Sequence, residues 1–294
     1  MLPAPDPLAL FEQHRSRLFG IAYRMLGTVD DAHDLVQETF LRWHDAEPSA
    51  IRAPESWLVA VITRLAIDRL RSAAYQRERY VGTWLPEPIL SEAAPTDRAA
   101  ELASDLSMAL LVLLERLAPE ERAAFLLRDV LDVGYDEIAR VLEKNQAACR
   151  QMVHRARARV REDRPRFPVS REVTGRLVER FLAALATEDS DELLAVVASD
   201  ATWISDGGGK VSAARNVVHG ASHIMRMVLG IERKWGHLMR HELVSINGEP
   251  GITTWHGDQL YCTTSIESDG ERITAFYRVL NPDKLPGAPR QQPL

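Results

Sequence analysis

The chain has 294 residues, 46% of them apolar, and a formal net charge of −6 at pH 7. This length and apolar content suffice for two or more domains with cores of their own. No apolar run approaches the roughly 20 residues that a membrane-spanning helix needs. The composition therefore predicts a soluble globular protein and excludes a membrane-spanning one.

The N-terminus and the cysteines give no indication of secretion. No basic segment precedes an apolar one near the N-terminus, so a secretory signal is not expected. Cys149 and Cys262 lie in separate segments without CxxC spacing, which favours reduced cysteines that pack in the interior. We therefore expect a cytoplasmic protein with no metal and no cofactor.

The charge is distributed unevenly. Residues 144–166 carry eight basic side chains against two acidic ones, whereas residues 85–105 carry five acidic side chains against one basic one. A basic segment of this kind favours a nucleic-acid partner even though the whole chain is acidic.

Residues from about 8 to 74 are predicted to be helical. From Asp34 to Trp43 the apolar side chains fall on one helix face and the charged ones on the other. Pro54 opens a second long helix. The segment TWLPEPILSEAAPTD follows, and its three prolines predict a linker without regular structure.

Helices are predicted again from Ala99 to Leu131, with a break at Pro119, and a helix-turn-helix pattern follows. YDEIARVL and QAACRQMVHRARARVRE have the lengths of helices of about 8 and about 16 residues, and the short turn EKN joins them. Asn145 would cap the second helix. The expected packing residues are Ile138, Ala139, Leu142, Ala148, Met152 and Val153. A helical hairpin with a solvated basic face is the alternative.

From Ser170 the pattern changes. A helix over EVTGRLVERFLAALAT and a shorter one over residues 190–197 precede segments in which β-branched and aromatic residues alternate with polar ones. These segments are ATWIS, HELVSI, GITTWHG, QLYCTTSIE and RITAFYRVL. They predict antiparallel strands, with turns at Asn247–Gly251 and Asp269–Gly270. Helices followed by a curved sheet predict a small α+β domain.

The order of the helical parts resembles a known family. DDAHDLVQETFLRW, ESWLVAVITRLAIDRLRS and LAPEERAAFLLRDVLDVGYDEIARVL stand in the order found in the extracytoplasmic-function (ECF) sigma factors of bacterial RNA polymerase, over about residues 8–163. The resemblance implies two all-α helical domains, sigma region 2 and the helix-turn-helix of sigma region 4. They would bind core RNA polymerase, at the β′ clamp and the β flap, and direct promoter-specific transcription initiation. The chain departs from the family where Glu143 replaces the usual glycine after Leu142.

The resemblance also implies roles for individual residues in region 2. DDAHDLVQETF matches the surface for the coiled coil of the polymerase clamp, and its core-contact candidates are Asp31, Asp34, Gln37 and Glu38. A solvated acidic helix face is the alternative. The loop 48–55 and the helix after it match the region that opens the −10 element and holds a flipped base. The candidates there are Arg64, Asp68, Arg69 and Arg71.

In region 4, the second helix of the helix-turn-helix would contact the −35 element as duplex DNA in the major groove. Its candidate side chains are Gln146, Arg150, Gln151, His154, Arg155 and Arg157. A plain helix-turn-helix repressor is a further alternative. The acidic helix and the residues that match the −10 region argue against it.

The stretch DGGGK, Asp206–Lys210, places three glycines before a lysine. A phosphate-binding loop requires GxxxxGK followed by Ser or Thr between a strand and a helix, and this stretch does not match that pattern. A plain hairpin turn is the simplest alternative.

A second resemblance gives the stretch another role. Residues 170–285 resemble the SnoaL-like fold, a cone-shaped α+β barrel related to nuclear transport factor 2. One group of sigma factors, the SigJ type, carries this domain as a C-terminal extension. That group also has WLPEP in its linker, DGGGK in the extension and NPDKL near the end, and all three motifs are present here.

The resemblance and the stiffness of a proline-rich segment predict that DGGGK receives the WLPEP linker. Lys210 would meet Glu87, and Asp206 would accept hydrogen bonds from backbone donors. The extension would then regulate the helical domains. The alternative is that WLPEP is only a spacer and DGGGK is only a turn. The residues of this predicted interdomain contact are Trp84, Leu85, Pro86, Glu87, Pro88, Asp206, Gly207, Gly208, Gly209, Lys210, Asn281, Pro282, Asp283, Lys284 and Leu285.

The predicted domain boundaries are 1–78 for sigma region 2, 79–105 for the linker, 106–166 for sigma region 4, 170–285 for the SnoaL-like domain and 286–294 for a disordered tail.

The extension could also be an enzyme, a cyclase or isomerase-like domain fused to DNA-binding helices. Its candidate bases are His219, His223, His237, His241, His256 and Asp258. No base with an orienting partner can be identified from the sequence, so we predict that the protein is not an enzyme. A small unidentified ligand in the extension is the more plausible use of the fold.

Overall fold

The computed structural model describes residues 6–47, 51–77, 80–91, 107–162 and 169–286. The chain divides into two compact units. We call them the helical unit, Met1–Glu78 with Leu110–Arg164, and the sheet unit, Arg79–Ala109 with Pro165–Leu294. Within the described residues, no helix is both long and apolar enough to cross a bilayer.

The helical unit is built from amphipathic helices in the predicted order. Their bounds are α1 Pro7–Leu26, α2 Val29–Asp45, α3 Pro54–Arg77, α4 Met108–Leu114, α5 Pro119–Phe125, α6 Tyr135–Leu142 and α7 Gln146–Glu162. A π-helical turn, Leu126–Val130, extends α5. The part of the predicted helix between Ala99 and Leu106 lies mostly outside the described residues, as do Pro48–Ala50 of the predicted −10 loop.

Local sequence signals explain where α1 begins and ends. The Asp6 carboxylate accepts a hydrogen bond from the backbone N–H of Leu8, and Pro7 occupies the first turn. Gly27 ends the helix in the left-handed conformation, with φ 73°. The buried indole of Trp43 in α2 donates to the carbonyl of Pro7 and thereby ties the two helices together.

The helix-turn-helix forms as predicted, with one correction to its packing. The predicted Ala139 and Ala148 are only half-buried. The buried residues are Ile138, Val141, Leu142, Cys149, Met152, Val153, Ala156 and Val160. Asn145 caps α7, because its side chain accepts a hydrogen bond from the N–H of Ala148 at 2.8 Å. Glu143 adopts the left-handed conformation, φ 54°, that the usual glycine would take without strain.

The sheet unit has the predicted α+β composition. Its elements are β1 Leu90–Ser91, α8 Arg171–Ala186, α9 Ser190–Val196, β2 Val197–Asp206, β3 Val218–His219, α10 Ala221–Trp235, β4 Met239–Ile246, β5 Glu249–His256, β6 Gln259–Ser268 and β7 Ile273–Val279. Short 3-10 turns cover Gly236–Leu238 and Pro282–Lys284. Helix α10 was not predicted, although Ile224 and Val228 mark its buried face at helical spacing.

The strands form one sheet in the order β1-β4-β5-β6-β7-β2-β3. The prediction that all strands pair antiparallel is wrong for β2 and β7, which run parallel. The turn between β4 and β5 is shorter than predicted. Asn247 and Gly248 alone form it, with φ 54° and 80°, and Ile246 pairs directly with Glu249.

The core of the sheet unit lies between the helices and the inner face of the sheet. The rings of Phe181, Trp203 and Phe276 form its centre, with 5.3 Å between the Phe181 and Phe276 centroids and 5.0 Å between those of Trp203 and Phe276. Cys262 is buried in this unit and Cys149 in the other, and both are free thiols, as predicted.

Candidate functional site

The core-contact candidates lie along α2. Asp34 and Gln37 are exposed. Glu38 pairs with Arg42 one turn later at 2.7 Å. Asp31 accepts from the Thr28 hydroxyl at 2.7 Å and pairs with Arg69 of α3 at 2.8 Å. The acidic face is therefore continuous, and its middle residues are open to solvent.

Arg64, the main −10 candidate, is engaged by the helix-turn-helix. Its guanidinium donates to the carbonyls of Val141 at 2.9 Å and Arg140 at 2.8 Å, at the end of α6. The carboxylate of Glu143 lies 3.5 Å away. A guanidinium suits this position because the last carbonyls of a helix have no partner within the helix.

The other charged candidates on α3 also have partners. Arg71 pairs with Glu120 of α5 at 2.5 Å and more loosely with Asp68 at 3.4 Å. The hydrogen bond from Arg71 lowers the pKa of the Glu120 carboxyl and outweighs the opposite effect of partial burial. Within the helical unit, the side chains expected to contact single-stranded DNA thus contact protein.

A buried arginine joins α5 to α1 and α4. Arg122 of α5 is 2% exposed and donates to the carbonyls of Met25 and Leu114 and to the carboxylate of Glu115. Nothing in the amino-acid sequence indicated this role, because arginine is rarely fully buried.

The −35 candidates on α7 separate into two groups. Gln146, Arg150, Gln151 and His154 are exposed. Arg155 and Arg157 turn towards α5 and the π-helical turn, where Arg155 pairs with Glu121 at 2.9 Å and Arg157 with Asp129 at 2.5 Å. These two arginines therefore brace the helix-turn-helix, while their side chains stay 49% and 41% exposed.

In the sheet unit, Asp206 of the DGGGK stretch is fully buried and accepts hydrogen bonds from four donors. They are the Tyr80 hydroxyl at 2.6 Å, the N–H of Leu85 at 2.9 Å, the N–H of Gly208 at 3.0 Å and the Lys284 ammonium at 2.7 Å. The expectation that Asp206 binds backbone donors matches this geometry. One donor belongs to WLPEP and one to NPDKL, so a single carboxylate holds all three motifs.

Lys284 is the buried cation of this cluster. Its ammonium donates to the carbonyl of Leu85 at 2.6 Å as well as to Asp206, and it lies 4.1 Å from the centroid of the Trp84 ring. Lys210, expected to meet Glu87, instead pairs with Asp283 at the surface. DGGGK and NPDKL each contain a lysine, and of these two only Lys284 is buried.

Tyr80 was missed because it precedes WLPEP. Its hydroxyl also accepts a hydrogen bond from the Asn281 amide at 2.8 Å. Burial, and next the hydrogen bond to Asp206, raise the pKa of the Tyr80 hydroxyl far above its usual value. Tyr80 therefore stays protonated and remains a donor.

The glycines of DGGGK allow close approach. Gly208 and Gly209 have φ values of 59° and 71°. A Cβ on Gly209 would stand 2.9 Å from the Cβ of Val81, and one on Gly208 would stand 2.5 Å from Nδ2 of Asn281. A side chain at either position would collide with one of the two segments that pack on the stretch.

The segment after Leu85 continues as part of the sheet. Pro86 and Pro88 are buried. Ile89 exchanges hydrogen bonds with Asn247, and Leu90 pairs with Ile246 in β4. Residues 80–91, predicted as an irregular linker, thus include an edge strand of the sheet unit, while residues 92–106 lie outside the described chain.

The histidine candidates are scattered. His219, His223, His237, His256 and Asp258 are exposed. His241 and His256 line a cavity of about 290 Å³. Both ring nitrogens of His241 have partners, Thr254 at 3.0 Å and Glu232 at 3.2 Å. No group of His, Cys, Asp or Glu within the described residues could hold a metal ion.

Two helical regions with a helix-turn-helix define a sigma-type initiation factor, and comparison with known proteins agrees. Residues 10–75 match the Sigma-70 region 2 family and residues 107–160 match Sigma-70 region 4. The chain is 38% identical to the ECF RNA polymerase sigma factor SigJ of Mycobacterium tuberculosis, over 96% of this chain and 94% of that protein. It is 30% identical to the probable ECF sigma factor SigI of the same species, over 95% of each.

The crystal structure of M. tuberculosis SigJ superimposes with a TM-score of 0.79 at 35% identity and covers 97% of this chain and 100% of that one. The chain belongs to the ECF sigma factors of RNA polymerase. It acts as an alternative sigma factor that binds core polymerase and promoter DNA and directs transcription initiation. The predicted family, function and fold class, helical sigma regions followed by an α+β SnoaL-like domain, are confirmed.

Proposed function

We propose that the chain uses separate surfaces of the helical unit for the polymerase, the −10 element and the −35 element. The exposed acidic face around Asp34 and Gln37 is the surface proposed for the β′ clamp, and region 4 is proposed to meet the β flap. The exposed side chains of α7, Gln146, Arg150, Gln151 and His154, are suited to base edges and phosphates. The proposed place of action is the cytoplasm, where RNA polymerase works.

The proposed −10 contacts compete with contacts inside the helical unit. Arg64 and Arg71 are proposed to hold the non-template strand, yet Arg64 is hydrogen-bonded to the end of α6 and Arg71 to Glu120. Both side chains are about half exposed, so a base can approach them, but it must compete with the hydrogen bonds to α6 and to Glu120. We therefore propose that the free chain is closed and that binding to polymerase and promoter opens it.

The sheet unit is proposed to regulate this opening through the segment 80–91. The observation that carries the proposal is the fully buried Asp206, which binds Leu85 of WLPEP and Lys284 of NPDKL together. Because the same chain segment leads from region 2 to region 4, fixing it on the sheet unit limits how far the two regions can separate. The extension would then act in place of a separate regulatory protein.

A pair of glycine substitutions tests the regulatory proposal. Gly209 and Gly257 both have positive φ, 71° and 57°, but a Cβ on Gly257 would meet nothing within 4 Å. Gly209→Ala therefore adds a collision with Val81 to the backbone strain that both variants share. We expect transcription in vitro from the promoter upstream of the protein's own operon to change by about fivefold or more with Gly209→Ala and to stay unchanged with Gly257→Ala.

A chain that ends near Phe167 gives the direction of the effect. If docking of the segment regulates transcription, Gly209→Ala and this truncation shift the transcript yield in the same direction. Equal yields from Gly209→Ala, Gly257→Ala and the unaltered chain would contradict the proposal.

A further inference from the structure

The sheet unit contains a cavity of about 290 Å³ that takes no part in holding the segment 80–91. It lies between α10 and the inner face of β4–β7. One wall is apolar and consists of Leu185, Val228, Ile231, Trp235, Leu238 and Met239. A cavity of roughly 300 Å³ or more with a few converging polar groups is typical of small-molecule sites.

The mouth of the cavity is unusually apolar for a protein surface. Ile231, Trp235 and Leu238 are 42%, 45% and 43% exposed and lie within eight consecutive residues. Exposed apolar side chains gathered around a cavity lose their contact with water when a ligand with an apolar body enters. This wall therefore favours a ligand with a flat or extended hydrocarbon part.

Arg278 gives the cavity a positive charge. It lies on β7, half-buried, and its guanidinium carbon stands 5.5 Å from the centroid of the buried Trp203 ring, which holds it in place. Among the described residues its guanidinium has no carboxylate partner and no hydrogen bond, whereas that of half-buried Arg171 in the same unit pairs with Glu249. A half-buried guanidinium without an acidic neighbour is well placed to bind an anion.

The other polar groups support an anionic ligand. Glu232 is the one carboxylate among the lining residues, and it is already hydrogen-bonded to His241, which Thr254 holds from the other side. Tyr261 lines the cavity, and its hydroxyl has no hydrogen bond to any described residue. A guanidinium and a phenol can together bind one carboxylate, and the single charge of Arg278 matches a carboxylate better than a phosphate dianion.

We propose that the cavity binds a small organic carboxylate, with its carboxylate on Arg278 and Tyr261 and its apolar body against Trp235, Leu238 and Val228. This ligand would be a second input to the sigma factor, separate from the contact at Asp206. Binding can be measured on the free full-length chain, so the result does not depend on the regulatory proposal or on transcription.

The test uses calorimetric titration with three carboxylates, benzoate, 2-naphthoate and decanoate, each beside its uncharged primary amide. We expect at least one carboxylate to bind with a Kd below about 1 mM and its amide to bind roughly tenfold more weakly. Arg278→Gln should remove this preference and leave the affinity for the amide unchanged, which also shows that the cavity is intact. Tyr261→Phe should weaken the carboxylate alone, and Arg278→Lys should restore part of the preference.

Arg240→Gln is the matched control, because Arg240 is an exposed arginine on β4 that does not line the cavity. It should bind the carboxylates like the unaltered chain. The proposal is overturned if all three carboxylates fail to bind at about 1 mM, if acid and amide bind equally, or if Arg278→Gln keeps the preference.

Discussion

Two lysines, one in DGGGK and one in NPDKL, show how burial decides what an ion pair contributes to stability. Lys284 and Asp206 are 9% and 0% exposed, whereas Lys210 and Asp283 are 48% and 49% exposed. Removing one partner of a buried pair leaves the other charge desolvated and costs about 3–5 kcal/mol, whereas an exposed pair is worth about 0–1 kcal/mol. We therefore expect Lys284→Met to lower the free energy of unfolding several times more than Lys210→Met does.

Urea unfolding followed by tryptophan fluorescence measures the difference, since Trp84 lies against the Lys284 ammonium. Lys210→Met is the control, because it removes the same charge from a pair of the same kind. Equal losses of stability in the two variants would mean that Lys284 does not hold the cluster, and the role assigned to NPDKL would be wrong.

At the scale of single residues, the sequence indicated the motifs but not which of their atoms would meet. DGGGK, WLPEP and NPDKL do converge, and Asp206 does bind backbone donors. The choice between Lys210 and Lys284 depends on which lysine the 3-10 turn Pro282–Lys284 directs inwards, and motif spacing carries no information on that. Tyr80 lay outside any motif, so only the folded chain reveals it.

At the scale of elements, periodicity predicted most helices and strands, and it failed where pairing partners decide the structure. Leu90 and Ser91 follow two prolines and form a strand only because β4 offers an edge. The parallel pairing of β2 with β7 also depends on tertiary packing, since both strands have the same alternation as their antiparallel neighbours. Helix α10 is different, because its apolar spacing was visible in the sequence.

The contact of α3 with α5 gives a prediction at the same scale. The Arg71–Glu120 pair is partly exposed, so solvent screens it and it contributes little to stability. If this pair helps to keep the helical unit closed, Glu120→Gln should raise the affinity of the free chain for single-stranded −10 DNA by roughly two- to fivefold. Fluorescence anisotropy with a labelled non-template oligonucleotide from the promoter upstream of its operon measures the affinity.

The control for this experiment must separate the loss of the contact with Arg71 from the loss of one negative charge. Glu137→Gln removes the same charge from the first turn of α6, where the glutamate has no ion pair with any described residue. A general gain in attraction for DNA would raise both affinities alike. Equal gains would therefore argue against a closed state held by Arg71.

At the scale of the whole molecule, the distribution of charge matters more for DNA binding than its sum. The chain carries −6, yet Arg150 on α7 stands exposed next to Gln146, Gln151 and His154. Each phosphate that a cationic side chain neutralises releases condensed counterions, and the logarithm of the binding constant falls by about 0.9 per contact for each tenfold rise in salt. The slope therefore counts local contacts and is insensitive to net charge.

Two arginine variants separate local from net charge. Arg150→Ala should lower the slope for duplex −35 DNA by about one if this side chain meets a phosphate, and should leave the slope unchanged but weaken discrimination between base sequences if it meets a guanine edge. Arg176→Ala removes the same charge from the exposed face of α8 in the sheet unit and should change neither quantity. Titrations of full-length chain with duplexes at several salt concentrations measure both. If Arg176→Ala lowers the slope as much as Arg150→Ala, the total charge governs binding, and α7 loses its assignment as the DNA-contacting helix.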